Sequence, residues 1–139
     1  MSPSRAIREG KTVAVGTTAT VANAILEAMW KGTSYSGNTN VWVQLHTGAP
    51  GAAGTSNASA ETTRKQLSFG TAAAGSIAAT EVTWTSWSAG AETEAYVSYW
   101  TLATGGTFLA SSQLGSSKTM SNGDTLGVTV TATQGPIAS

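Results

Sequence analysis

Two sets of side chains in this 139-residue chain are of a type and spacing that could do chemistry. His46, the only histidine, closes the run "VWVQLH" just before "TGAPG". A histidine can act as general base for a serine or as a metal ligand. The base role calls for an orienting carboxylate, and the only aspartate, Asp124, stands beside the turn sequence "SNGD". No G-x-S-x-G nucleophile elbow is present. A zinc site needs three or four ligands, and without cysteine only scattered carboxylates could join His46. The second set is Glu92 and Glu94, whose spacing puts both on one face of a strand. Paired carboxylates can cleave a glycosidic bond, but this pair reads better as part of a solvated turn. His46 reads better as a structural or surface residue, ending the outer face of its strand. No enzyme signature emerges, and neither cofactor nor metal is expected.

Two further groups are candidates for binding rather than catalysis. Trp84 and Trp87 lie three apart in "TWTSWS", so an extended strand would turn them to opposite faces. One would then be core and the other free to anchor an interface or stack on a sugar. A core or subunit-interface role is favoured over carbohydrate. Residues 1–16 carry Arg5, Arg8 and Lys11 against the single acid Glu9, with no sustained period. This segment reads as a solvated tail or as an extended arm laid on a partner. In the arm reading the three cations meet acidic or carbonyl-rich surface, while Ile7, Val13 and Val15 enter apolar grooves or the backbone pairs with a strand edge.

The elements that would hold these residues follow from pattern. Charged residues make up 10% of the chain and cancel to zero net charge, against a usual charged fraction of about 25%. That balance gives no pull toward nucleic acid or an anionic membrane. No run approaches the roughly 18 apolar residues of a membrane span, and the first residues lack the apolar core of a secretory signal. Residues 17–139 are read as one domain with a helix at about 19–31. Val21, Ile25 and Met29 recur every four residues, as do Ala22 and Leu26. Thr18 or Thr20 can cap its start, Lys31 suits its negative end, and Gly32 can close it. So short a helix must lay its stripe on the β body or on another chain.

Beyond Asn40 the signals are strands and turns. "LGVTVTA" alternates Leu126, Val128, Val130 and Ala132 against threonines, behind an Asn122-Gly123 hairpin signal. "EAYVSYWTL" carries aromatics on both faces and reads as a central strand, with "ATGGT" turning it into "FLASSQL". "VWVQLH", "RKQLSF" and "EVTWTSW" add further strands. The expected fold is mainly β, an antiparallel sandwich or jelly roll of about seven or eight strands, with one short helix and an extended N-terminal arm.

In order, "VANAILEAMWKGTSY", "VWVQLHTGAPG", "RKQLSFG", "GSIAAT", "YWTLATGGTFLASSQL" and "KTMSNGDTLGVTVTAT" resemble a family of small virion proteins of tailed bacteriophages. The resemblance covers about Val21 to Thr133 and rests on the order and spacing of these segments. It implies a structural part of a phage particle, a homo-oligomer (a trimer by analogy), and a purely structural "LHTGAPG". The chain departs from the family in its longer arm and in the few charges after Pro50. The leading expectation is a capsid decoration protein on the virion surface, bound to the major capsid protein. The alternative is a tail-fibre or minor tail protein that contacts the host surface, with carbohydrate as a possible ligand.

Overall fold

The computed structural model describes residues 16–134. The arm residues Arg5, Ile7, Arg8, Lys11, Val13 and Val15 lie outside them. Along the chain come β1 (Gly16–Thr17), α1 (Ala19–Lys31), β2 (Val41–His46), β3 (Lys65–Leu67), β4 (Ser76–Ala78), β5 (Val82–Trp84), β6 (Glu92–Trp100), β7 (Phe108–Met120), β8 (Leu126–Val128) and β9 (Thr131–Thr133). Every strand pairing is antiparallel. The fold is mainly β with one helix, as the sequence pattern requires.

Five strands form one sheet in the order β1-β7-β6-β2-β3. β6 is central, which is why both of its faces carry large side chains. β5 pairs with β8 and β4 with β9, and Ala79 N donates to Val130 O between them. The two ladders therefore make one kinked ribbon, 76–84 against 126–133, that lies over one face of the sheet. Val43, Leu45, Leu67 and Val97 from the sheet meet Trp84, Leu126, Val128 and Val130 from the ribbon in a single apolar cluster. Each such aliphatic side chain contributes about 1.5–3 kcal/mol by leaving water. The threonines that alternate with the ribbon's apolar residues, Thr125, Thr129 and Thr131, face outward.

Among the described residues, main-chain pairing joins the two layers on one side. Phe69 bridges to Ala79, and Thr80 N donates to Ser68 O, linking the end of β3 to the ribbon. On the other side, β7 past Ser111 has no strand partner along its outer edge among the described residues. A cleft of about 220 Å³, lined by Tyr99, Leu114, Val128 and Val130, separates that edge from the ribbon.

Two expectations need correction. Asn122-Gly123 does form a tight turn, with Gly123 at φ +97° and Asp124 N bonded to Ser121 O at 3.0 Å. It does not close a hairpin, however. It carries the chain from β7 in one layer to β8 in the other, so the flanking strands are not paired. Trp84 and Trp87 do not split between core and surface, since each is only 2% exposed. The strand ends at Trp84, and Ser86 takes a left-handed conformation at φ +53°. That kink returns Trp87 to the side Trp84 already occupies. Their indole N–H groups donate to Thr63 O and Gly90 O, both at 2.8 Å. Neither ring is available to a sugar or a partner. Trp84→Ala and Trp87→Ala are each expected to cost about 3–5 kcal/mol. Urea unfolding followed by circular dichroism measures this; a near-neutral Trp87→Ala would show that its ring is not core.

Candidate functional site

β2 is buried at its end and only partly exposed elsewhere. Val43 and Leu45 point into the sandwich, and His46, expected at the outer surface, is 0% exposed. The loop after β2 explains the difference. Gly48, Pro50 and Gly51 turn the chain back over the sheet's outer face, where Thr47 N donates to Asn57 O and Ser59 N to Leu45 O. At the loop tip Gly54 sits at φ +75°, and a Cβ there would lie 2.5 Å from the Phe108 ring. Only glycine lets the loop approach so closely.

Under this loop lies a chain of hydrogen bonds. Trp100 Nε1 donates to Ser98 Oγ at 2.7 Å. Ser98 Oγ lies 2.7 Å from His46 Nε2, and His46 Nδ1 lies 2.8 Å from Ser56 O. A carbonyl can only accept, so Nδ1 carries the proton. Nε2 of the neutral ring then accepts from Ser98, whose own oxygen accepts from Trp100. Every group is satisfied with no charge present. Burial holds His46 below its ordinary range, which agrees with a neutral ring. Ser98 and His46 are within hydrogen-bond reach, but both are fully buried, and a main-chain carbonyl stands where a triad would need a carboxylate. The pair ties β6 and β2 to the loop.

Arg64 closes the same face. Its guanidinium lies 4.1 Å above the Trp100 ring. Nε donates to Gln44 Oε1 at 2.9 Å, and Nη1 to Leu102 O and Gly105 O at 2.8 and 2.7 Å. Phe108 packs against the same indole with ring centroids 5.3 Å apart. Arg64 thereby clamps the β6–β7 turn.

The Glu92–Glu94 pair is not a solvated turn. Glu94 is 0% exposed, because the loop reaches β6 and sets Ser59 against both carboxyls. Ser59 Oγ contacts Glu92 Oε1 and lies 3.0 Å from Glu94 Oε1, while also accepting from Glu61 N at 2.9 Å. One hydroxyl proton cannot serve two carboxylates. The bonds are complete when Ser59 donates to ionised Glu92 and a protonated Glu94 donates to Ser59. Glu92 Oε1 also accepts from Ala60 N at 2.9 Å. Burial first, then the hydrogen bond and charge of Glu92, push Glu94 up to about 8. Burial raises Glu92, but the Ser59 hydroxyl and the Ala60 N–H that donate to its carboxylate outweigh it and leave Glu92 lowered. Glu94 Oε2 has no hydrogen-bond partner, so ionisation would leave a charged oxygen uncompensated in the interior.

The exposed surface of interest is on α1. Thr18 caps it, accepting from Val21 N at 3.4 Å, and Gly32 ends it at φ +71°. The helix occupies the expected span, yet none of its residues is buried. Its apolar stripe was legible in the sequence; that the β body leaves it uncovered was not. The Trp100–Ser98–His46 chain was also missed. Its one sequence signal was the spacing of Ser98 and Trp100, two apart on the strand face opposite Val97 and Tyr99.

The described residues form a small antiparallel β domain with an amphipathic helix outside its core. The chain matches the family described as Podophage GP4 fiber I protein gp80 over residues 16–135, and it belongs to that family. It is therefore a structural component of a tailed-phage particle. No curated protein matches it.

His46→Ala opens a cavity and leaves Ser56 O without its donor and the Ser98 O–H without its acceptor, at an expected cost of roughly 2–4 kcal/mol in chemical denaturation. A cost under about 1 kcal/mol would place His46 at the surface. A second expectation concerns pH. The folded pKa of Glu94, about 8, lies above the ordinary 4.5, so its contribution to stability is full below pH 4.5 and is lost as pH rises toward 8. The slope is at most about 1.4 kcal/mol per pH unit. Glu92, being lowered, acts in the opposite sense only at more acidic pH. Thermal melts of Glu94→Gln are expected to be flatter across this window and higher at its alkaline end. A variant that melts in parallel with the wild type would show that Glu94 is ionised throughout.

Proposed function

We propose that the protein is a fibre subunit of the tailed-phage particle, structural rather than catalytic, mounted on the tail and not on the capsid lattice. The observation that carries this reading is the family match, which spans residues 16–135 under a fibre description. The capsid-decoration role, the leading expectation from sequence, has no such support. The fold agrees with a scaffold. The Ser98–His46 pair is sealed beneath a loop, and Glu94 is enclosed behind Ser59. Among the described residues no group of histidine and carboxylate side chains is placed to hold a metal ion, and no helix is long and apolar enough to cross a membrane. A carbohydrate contact through Trp84 or Trp87 is no longer part of the reading, since both rings are core. The partners on this view are other virion proteins, met through the exposed face of α1 and through the sheet edge.

Labelling intact particles with a gold-conjugated antibody against residues 16–134 tests the assignment. Gold is expected at the tail, at a few to a few dozen sites per particle in electron micrographs. Gold spread over the capsid would return the decoration role.

A further inference from the structure

β1 covers only the first stretch of β7's outer edge. Gly16 lies opposite Ser111 and Thr17 opposite Ala110, and Thr18 N donates to Leu109 O at 2.9 Å. The pairing is antiparallel, so a chain that continues from Gly16 toward the N-terminus in the same direction runs along β7 past Ser112 to Leu114. On the inner side of that stretch is the cleft of about 220 Å³ between β7 and the ribbon, where Leu114, Val128 and Val130 form apolar walls. Ser112 lines the same cleft, its Oγ 2.7 Å from Tyr99 OH. Continued without a bulge, the register sets Val15 opposite Ser112 and Val13 opposite Leu114. Directly opposed residues share a face. Val13 and Val15 therefore fall on the side of the cleft, and Thr12 and Ala14 on the side away from it.

We propose that residues 12–15, which lie outside the described residues, prolong β1 along the edge of β7 in the same chain, and that Val13 and Val15 close the cleft between sheet and ribbon. Connectivity decides the occupant. Residue 15 is bonded to a strand already seated on this edge. These residues therefore meet the edge at a far higher effective concentration than any separate segment, and they have no loop to close. Their pattern fits as well, since two β-branched side chains fall on the walled side with the small Ala14 between them. The main chain of β7 is also oriented to receive them. Leu109 turns its carbonyl toward β1, so by alternation Gln113 turns its N–H the same way. The segment stops at residue 12 because β7 shifts register against β6 beyond Gln113. An edge covered by its own chain is closed to a partner's strand, which leaves the β3 edge of the sheet for contacts with other virion proteins. The proposal stands whether or not the protein is a fibre subunit, and its test uses purified protein.

The chain has no cysteine, so paired cysteines read the register in the full-length protein. Thr18 and Leu109 are a hydrogen-bonded pair, and alternation makes Val15 and Ser112 a non-bonded one. Cα atoms in such a pair stand about 4.5 Å apart, within reach of a disulfide. Val15→Cys with Ser112→Cys is expected to link within the monomer under mild oxidation, read on a non-reducing gel and by peptide mass. Ala14→Cys with Ser112→Cys, its side chains on opposite faces, is expected to link about tenfold more slowly or not at all. Hydrogen exchange of the full chain gives a second readout. Val13→Asp with Val15→Asp is expected to speed exchange at the Gln113 amide by about tenfold or more, with the Val97 amide inside the sheet unchanged. Thr12→Asp is expected to leave both as they are. Links formed only between copies would give the edge to the arm of a second chain. That result, equal linking at positions 14 and 15, or a Gln113 amide indifferent to the double variant would each overturn the proposal.

Discussion

The fold depends on burying a histidine without charging it. A neutral imidazole with its proton on Nδ1 is the one state in which Trp100, Ser98, His46 and Ser56 are all satisfied. That chain joins the two central strands to the loop that covers them. With the loop held down, the sheet's outer face becomes a second small core, where Phe108 and Arg64 close on Trp100. The loop in turn carries Ser59 to β6 and encloses Glu94. A five-stranded sheet with a ribbon over one face would normally leave its other face wet. Here an irregular loop replaces a third layer, and buried polar groups do what a third layer's side chains would do.

Much of this was legible in the sequence, and what was not has a physical reason. Two-residue alternation located β2, β6 and β8, and caps at Thr18 and Gly32 located α1. Alternation reports which residues share a face, but not whether that face is covered. Alternation therefore puts His46 on the strand's outer face and leaves Glu94 in a solvated turn, although "TGAPGAAG" already holds the glycines and proline that fold the loop back. Trp84 and Trp87 were separated by assuming an unbroken strand, and a single left-handed residue, Ser86, defeats that assumption. The stripe on α1 was seen, but no pattern within one chain states whether a stripe faces its own body or a neighbour.

The molecule keeps its polar interior apart from the exposed apolar face of α1. Polar pairing within the sheet fixes the loop against the body, whereas the helix is joined to it by a main-chain bond at its start, Thr18 N to Leu109 O. Alteration of the α1 face therefore leaves the β body undisturbed, and the body can lose a buried bond without changing what the helix presents. β7 departs from regular pairing with β6 where its register shifts between Glu94 and Tyr96, and Lys118 lies on it just beyond.

The scarcity of charge has a further consequence. Among the described residues the ion pair in view is Lys31 with Glu27, exposed on the helix. The half-buried guanidinium of Arg64 is held by carbonyls, an amide and an aromatic ring, and Glu94 is held by its own proton. Little of the folding free energy is then a long-range attraction that dissolved ions can screen. This body should keep its shape at low and at high ionic strength, because its polar contacts are short and mostly uncharged.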